Sequence, residues 1–313
     1  MKKLKFSNFR VIGPGAWGRA LGSALKFKSE DIGYLDENSA PEDWKRLLTP
    51  GSLVVTATPF KALGPVLKEL KKFKIAGVVN ASKGIDRESL LTFTSLAKKS
   101  LKCPTATLSG PTFAAELAAQ KPTACVVASK DAGFAKAVAE AFSNPYLRVY
   151  TNADPIGVEI CGALKNVLAI ACGISDGCNL GMNARAALLT RGLKEMEILV
   201  KALGGKTSSV NGLAGVGDLW LTATGDLSRN RQLGIALAKG MDLNAALASL
   251  SGPAEGFYTV MQVHQIAKKK KLSLPISEQV FEICEGRRKP NEALKILMMR
   301  ELKPEDALKM KRA

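Results

Sequence analysis

The chain of 313 residues carries one histidine, His264. Imidazole is the commonest metal ligand and a common proton carrier in enzymes. Its scarcity argues against a histidine-based metal centre, and lactate-type dehydrogenases, which depend on a placed histidine, are disfavoured. His264 itself precedes Lys268-Lys269-Lys270-Lys271 and reads as a solvated surface residue. Paired cysteines are lacking too. Cys103, Cys125, Cys161, Cys172, Cys178 and Cys284 are scattered without a C-x-x-C pair, which leaves no zinc pattern and suggests reduced thiols. No metal is expected. No apolar run approaches the ~20 residues of a spanning helix, so membrane insertion is not expected. The start, Met1-Lys2-Lys3, runs straight into a strand-like segment with no small-residue cleavage site, and a cytoplasmic protein is expected. Internal repeats and low-complexity segments are absent. With 46% hydrophobic and 23% charged residues, the composition is globular. Acidic residues are the scarcer sign, 28 against 45 Lys and Arg, for a net charge of +17. The basic runs at 268–271, 287–289 and 309–312 lack interleaved aromatics, and no nucleic-acid motif accompanies them. A nucleic-acid partner is not expected, whereas steering of an anionic metabolite and cofactor fits the same charge.

What is present begins at residues 6–12, a short apolar strand-like run. It leads into Gly13-Pro14-Gly15-Ala16-Trp17-Gly18 and then an amphipathic segment, 19–27. Strand, G-x-G-x-x-G and helix in that order make a dinucleotide-binding turn. Gly13 permits the tight turn, Gly15 lets backbone approach a pyrophosphate, and Gly18 lets helix pack on strand. Phosphates would sit on the free amides of the helix N-terminus. The next strand-like run, 32–35, ends at Asp36, where an acid binds ribose hydroxyls and repels the extra phosphate of NADP. NAD or NADP is therefore expected, with NAD favoured. Asp36 beside Glu37 is equally readable as a loop carboxylate without a ligand.

Short apolar runs recur at 52–57, 75–81, 105–108, 123–128 and 147–150, with helical patterns at 60–72 and 131–142 between them. That alternation predicts a mostly parallel, doubly wound Rossmann-like α/β domain over residues 1–154. From 155 to 313 the strand signals stop. Helical patterns at 156–175, 184–203, 230–239, 256–270 and 277–285 predict an all-helical substrate or catalytic domain.

One charge sits in an otherwise apolar helical stretch: Lys165, followed by Asn166, within residues 157–171. Burying an ammonium is costly unless it is paired or loses its proton. A lysine so placed has a depressed pKa and suits general acid/base work. A lysine snorkelling from a half-exposed face is the plainer alternative. Three further stretches are too polar and too glycine-rich for their surroundings. Asn80-Ala81-Ser82-Lys83-Gly84 and the stretch 109–116 each follow a strand. Residues 212–222 carry Asp218 and, four residues on, Thr222, which share a face if helical. Leu227-Ser228-Arg229-Asn230-Arg231 is a compact anion-binding sequence in which Arg229 can grip phosphate with two N–H groups. Singly, Lys83 reads as a surface lysine, Asp218 as a helix cap and Arg229 as one more basic residue. Their order and spacing together carry more.

These blocks, with the glycine turn, 157–166, Asn183-Ala184-Arg185 through Gly192, and Ala254-Glu255-Gly256, resemble the bacterial type of NAD(P)-dependent glycerol-3-phosphate dehydrogenase over nearly the whole chain. The resemblance implies reversible reduction of dihydroxyacetone phosphate to sn-glycerol 3-phosphate, supplying glycerophospholipid synthesis, by a homodimer. It implies Lys165 as the general acid/base, with Asn166, Asp218 and Thr222 orienting the lysine and the substrate. It places Lys83 at the junction of cofactor and substrate, Ser228, Arg229 and Asn230 on the substrate and its phosphate, and Gly110 and Thr112 on further substrate contacts. Cofactor contacts are implied at Gly13, Gly15, Ala16, Trp17, Gly18, Asp36, Lys83, Ala114, Arg229 and Glu255.

The chain departs from the family in a short excursion after Asp36, in Thr112 where serine is usual, and in Pro253. The first bears on cofactor preference. Alternatives of the same build are a β-hydroxyacid or ketopantoate-type dehydrogenase and a catalytically silent nucleotide-binding protein. Ser228-Arg229-Asn230 suits a phosphate better than a carboxylate, and a sensor has little use for Lys83, Lys165 and Asp218.

Overall fold

The computed structural model describes residues 4–302, 304 and 305. It divides into two compact units, Met1–Glu159 and Ile160–Ala313. The first is built on seven strands: β1 (Asn8–Ile12), β2 (Ile32–Leu35), β3 (Ser52–Thr56), β4 (Gly77–Asn80), β5 (Thr105–Ser109), β6 (Thr123–Ala128) and β7 (Leu147–Asn152). Their order in the sheet is β2-β1-β3-β4-β5-β6-β7. Neighbours run parallel except β5 and β6, which are antiparallel, so the last two strands run against the rest. All seven overlap the expected runs, β5 and β7 extending one and two residues past them; the reversal at β6 was not foreseen. Every residue of β1, β3 and β4 is buried, which requires cover on both faces. Successive side chains point to opposite faces. Val11, Leu53 and Val55 pack with Phe134 and Phe142 in one cluster, and Ile12, Val54 and Val78 with Leu63 and Phe93 in another.

The covering helices are α1 (Ala16–Leu25), α2 (Pro41–Leu47), α3 (Leu63–Leu70), α4 (Phe93–Ser100), α5 (Ala114–Ala118) and α6 (Ala132–Phe142). Of these, α2 and α4 lie in stretches whose pattern had not marked a helix. The chain passes from β1 to β2 on one side and returns to β3 on the other. The carboxyl ends of β1 and β3 therefore flank the switch point where ligands of such sheets bind.

The helical part contains α7 (Pro155–Gly177), α8 (Gly181–Ala202), α9 (Asp218–Thr224), α10 (Arg229–Ala238), α11 (Leu243–Ala248), α12 (Glu255–Lys270), α13 (Pro275–Cys284) and α14 (Pro290–Met298). The first five residues of α7 fall in the first unit. Contrary to expectation, this helix is long and apolar enough by length and composition to cross a membrane. Yet 94% of its most apolar stretch is buried, as in a core helix. His264 also differs from expectation. It is half-buried on α12, stacked 3.6 Å from the Phe281 ring, with Nδ1 3.2 Å from Glu278 Oε2. Packing of α12 on α13 claims the imidazole face that a surface histidine would expose to water.

Two buried carboxylates cap helices from a distance. Glu159 accepts from the Thr94 amide at 3.1 Å and the Thr94 hydroxyl at 2.5 Å, at the start of α4. Glu195 accepts from the Ser277 amide at 3.0 Å, the Ser277 hydroxyl at 2.7 Å and the Ile276 amide, at the start of α13. Both satisfy amides that a helix start leaves open. Burial outweighs those hydrogen bonds and pushes each carboxyl up to about 7. An unfolded glutamate titrates near ~4.3. The folded state thus holds the extra proton between the two values, and stability falls as pH rises through that window. For Glu195 the loss is at most about 4 kcal/mol. Thermal melts at pH 5 and pH 8 should show the advantage of wild type over Glu195→Gln shrinking at the higher pH. An advantage independent of pH would refute the titration of Glu195.

All six cysteines are free. Cys125, Cys161, Cys172 and Cys284 are buried, and Cys103 and Cys178 are half-exposed. Burial pushes the thiols of Cys125, Cys172 and Cys284 up to about 12.

Candidate active site

In the first unit the glycine turn follows β1. Gly13 has φ +92°, and a Cβ there would lie 2.9 Å from the carbonyl of Ala57, just past β3. A Cβ on Gly18 would land on the Gly13 carbonyl oxygen, so both glycines are dictated by close approach. Gly15 is different: a Cβ there meets no protein atom within 4 Å. It is the N-cap of α1, and no side chain caps the helix or places an acid in its first turn. Open amides beside open space form a cradle of the kind a pyrophosphate fills. Ala16 opens α1, and Trp17 donates its indole N–H to the Ala81 carbonyl at 3.1 Å, which ties the turn to the end of β4. Asp36 caps its own turn. Its Oδ1 accepts from the Asn38 amide at 2.9 Å and the Ser39 hydroxyl at 3.1 Å, the part a loop carboxylate plays.

Past β4, Asn80 shapes the loop that carries Lys83. Its Oδ1 accepts from Thr56 Oγ1 at 3.0 Å and from the Ser82 amide at 3.2 Å, and its Nδ2 donates to the Ser82 carbonyl at 2.8 Å. Lys83 Nζ donates to the Gly110 carbonyl at 3.2 Å, and Thr112 Oγ1 donates to the same oxygen at 3.1 Å. Lys83, Gly110 and Thr112 are thus brought together. Gly110, at φ +139°, leaves no room for a side chain, since a Cβ would lie 2.9 Å from Cys125 Cα. Ala114 is the first residue of α5.

In the helical unit Lys165 is 6% exposed and Asp218 1% exposed. Lys165 Nζ donates to Asp218 Oδ1 and to Thr222 Oγ1, both at 2.7 Å, and Thr222 Oγ1 donates to Asp218 Oδ1 at 3.2 Å. A paired, hydrogen-bonded ammonium is the form in which burial of a lysine is tolerable. The pairing depends on how the chain enters α9. Residues Leu213–Gly217 wind as a single π-helical turn, with a Cβ on Gly215 forbidden by the Val210 carbonyl. Asp218 then opens α9, and Thr222 lies one turn on.

Asn166, next to the lysine, accepts on Oδ1 from Asn230 Nδ2 at 3.0 Å, and Asn230 Oδ1 accepts from the Gly256 amide at 2.9 Å. This bridge joins α7, α10 and α12. It also fixes Gly256, where a Cβ would lie 2.6 Å from Asn230 Oδ1. The asparagine pairing is 64 residues apart in sequence, and no local pattern could have announced it. Ser228 is buried and N-caps α10, accepting from the Arg231 amide at 3.2 Å. Arg229 is exposed, with Nη1 beside Gly252. Glu255 opens α12.

Residues 34–135 match the family described as NAD-dependent glycerol-3-phosphate dehydrogenase N-terminus, and residues 154–295 match its C-terminus. Glycerol-3-phosphate dehydrogenase [NAD(P)+] of Solidesulfovibrio magneticus is 40% identical over 94% of this chain and 99% of its own length. The crystal structure of glycerol-3-phosphate dehydrogenase from Coxiella burnetii is similar at TM-score 0.85 and 36% identity, covering 95% of this chain and 100% of that one. A ketopantoate reductase from Ralstonia eutropha JMP134 shares the fold alone, at TM-score 0.56 and 12% identity over 92% of this chain and 99% of that one.

Proposed function

The chain belongs to the NAD(P)-dependent glycerol-3-phosphate dehydrogenase family, and we propose how its own residues interconvert dihydroxyacetone phosphate and sn-glycerol 3-phosphate. The carrying observation is the buried Lys165 ammonium, held at 2.7 Å by both Asp218 and Thr222. When bound, NAD(P)H supplies the hydride for the carbonyl carbon. Lys165 gives a proton to the carbonyl oxygen as charge develops there, and takes it back in the reverse direction. Asp218 and Thr222 fix the direction of Nζ, and Asp218 compensates the buried charge. Asn166 and Asn230 hold each other, so one end of the pair lies beside the lysine and the other beside Arg229. Arg229, Asn230 and Ser228 grip the phosphate, and that remote binding energy positions the carbonyl.

In the first unit, Gly13, Gly15, Ala16, Trp17 and Gly18 hold the cofactor's pyrophosphate, and Asp36 its ribose. Lys83, Gly110 and Thr112 are assigned to the substrate, with Lys83 also at the cofactor. Ala114, Arg229 and Glu255 complete the cofactor contacts. Six free thiols fit a reducing compartment, the cytoplasm, and the product fits supply of glycerophospholipid synthesis.

The test is oxidation of NADH and NADPH, separately, by purified protein given dihydroxyacetone phosphate, with ketopantoate as comparator. Turnover is expected with the phosphate ester and not with ketopantoate. The Asp36 carboxylate should make kcat/KM with NADH the larger, by about tenfold, which is ~1.4 kcal/mol of discrimination. Turnover of ketopantoate alone would reject the assignment, and a preference for NADPH would remove Asp36 from the ribose. We further read the protein as a homodimer. The exposed apolar residues Met298 (76%), Met299 (85%) and Leu302 (97%) support a covered face. Light scattering should give twice the 33.3 kDa chain mass, and a single chain mass would count against it.

A further inference from the structure

The block Asn183 through Gly192 resembles the family but receives no part in the chemistry above. Its Arg185, on α8, donates from Nε to Asp176 Oδ1 at 2.8 Å and from Nη2 to the same oxygen. Asp176 lies in the last turn of α7, and its Oδ2 accepts from Arg231 Nε at 2.7 Å. The three side chains are 11%, 19% and 14% exposed for Asp176, Arg185 and Arg231. Arg231 also reaches Asp226, but that carboxylate is 96% exposed and so contributes little. One shielded carboxylate therefore joins three helices.

The same two helices that carry the chemistry touch backbone to backbone. A Cβ on Gly173 of α7 would overlap the Arg231 carbonyl oxygen, and one on Gly234 of α10 would overlap the Ile170 carbonyl oxygen. This contact and the Asp176–Arg231 pair fix where α10 starts relative to α7. At that start stand Ser228, Arg229 and Asn230. Lys165 and Asn166 lie on α7, about three turns before Asp176. Separation of the proton donor from the phosphate grip is thus a property of the α7–α10 crossing.

We infer that Asp176 is a positioning residue, which through Arg231 and Arg185 sets the phosphate grip at its working distance from Lys165. The inference rests on the reading of Arg229 as that grip. Asp176→Asn removes the compensating charge and leaves two partly buried guanidinium groups facing one carboxamide. Their repulsion displaces Arg231, and with it the first turn of α10.

The experiment compares kcat/KM for dihydroxyacetone phosphate and for dihydroxyacetone, which lacks the phosphate, at saturating NADH. In wild type their ratio measures what the phosphate grip adds. Asp176→Asn should lower that ratio roughly 10- to 100-fold, since misplacement by about 1 Å is costly. Turnover of dihydroxyacetone should change little, and protection against thermal unfolding by glycerol 3-phosphate should weaken. Arg231→Met, which frees α10 while sparing the Asp176–Arg185 pair, should do the same and serves if the first variant is poorly folded. Arg229→Ala separates the two ideas. If it collapses the ratio and neither Asp176→Asn nor Arg231→Met does, the positioning role is wrong and the grip stands. If Arg229→Ala leaves the ratio intact, both fall. Equal loss on both substrates in Asp176→Asn would mark a structural role only and overturn the inference.

Discussion

Lys165→Ala is expected to lose turnover of dihydroxyacetone phosphate by about 1,000-fold, the scale of a positioned acid/base. Affinity for NADH should stay within about twofold, because the glycine turn lies in the other unit of the chain. The variant has a second defect to be separated from the first. Removing the ammonium breaks the ion pair of Lys165 with the Asp218 carboxylate, 1% exposed, a loss of up to about 3–5 kcal/mol. The double variant Lys165→Met with Asp218→Asn removes both charges together. It should recover most of the melting temperature and none of the activity. Turnover that returned with stability would mean the lysine is structural and that the proton comes from elsewhere. A cofactor affinity lost along with turnover in the double variant would also count against the assignment.

Gly18→Ala is expected to abolish useful cofactor binding, raising the NADH dissociation constant on the order of 100-fold, as for other misplaced ligand groups. The added methyl would fall on the Gly13 carbonyl oxygen, and Gly13 cannot retreat. It holds φ +92°, with the Ala57 carbonyl 2.9 Å from where its own Cβ would be. The strain must push α1 off β1, carrying the first-turn amides away from the pyrophosphate. Overpacking of this kind costs about 1–3 kcal/mol as well. Gly15→Ala is the informative contrast, because its methyl meets no protein atom within 4 Å. It should leave the melting temperature unchanged and still weaken NADH binding, by occupying the space the pyrophosphate requires. Titration of NADH fluorescence against both variants, with melts alongside, reads the two effects apart. Unaltered NADH affinity in Gly15→Ala would show that the cofactor lies elsewhere.

The parts legible in the sequence are those whose cause is local. A strand buried on both faces is a short run with an apolar centre, as β3 and β4 are, whereas β2 and β7 at the sheet edges are less buried. Lys165 stood out because a lone charge in an apolar helix needs a reason, and Asp218 and Thr222 because four residues make one helical turn. Distant partners left no such mark. The direction of β6 depends on which edge it joins, and nothing in Thr123–Ala128 encodes that. The same holds for the Asn166–Asn230 bridge and for Asp176, whose two arginines are 9 and 55 residues away. Arg10 is hidden inside a strand run because its charge is settled by remote acceptors. These are the Leu47 carbonyl at 2.8 Å and Asp31 Oδ1, also at 2.8 Å. The short helices α2 and α4 escaped for a related reason. Seven or eight residues give a periodic pattern too little length to show.

The buried thiols turn the native protein into its own gauge of integrity. A reagent that consumes thiolate finds Cys103 and Cys178 half-exposed, while Cys125, Cys172 and Cys284 are held at about 12 and Cys161 is buried. At neutral pH, labelling should stop after two equivalents and resume only as molecules open. The slow phase then times that opening chain by chain, with no cofactor or substrate present.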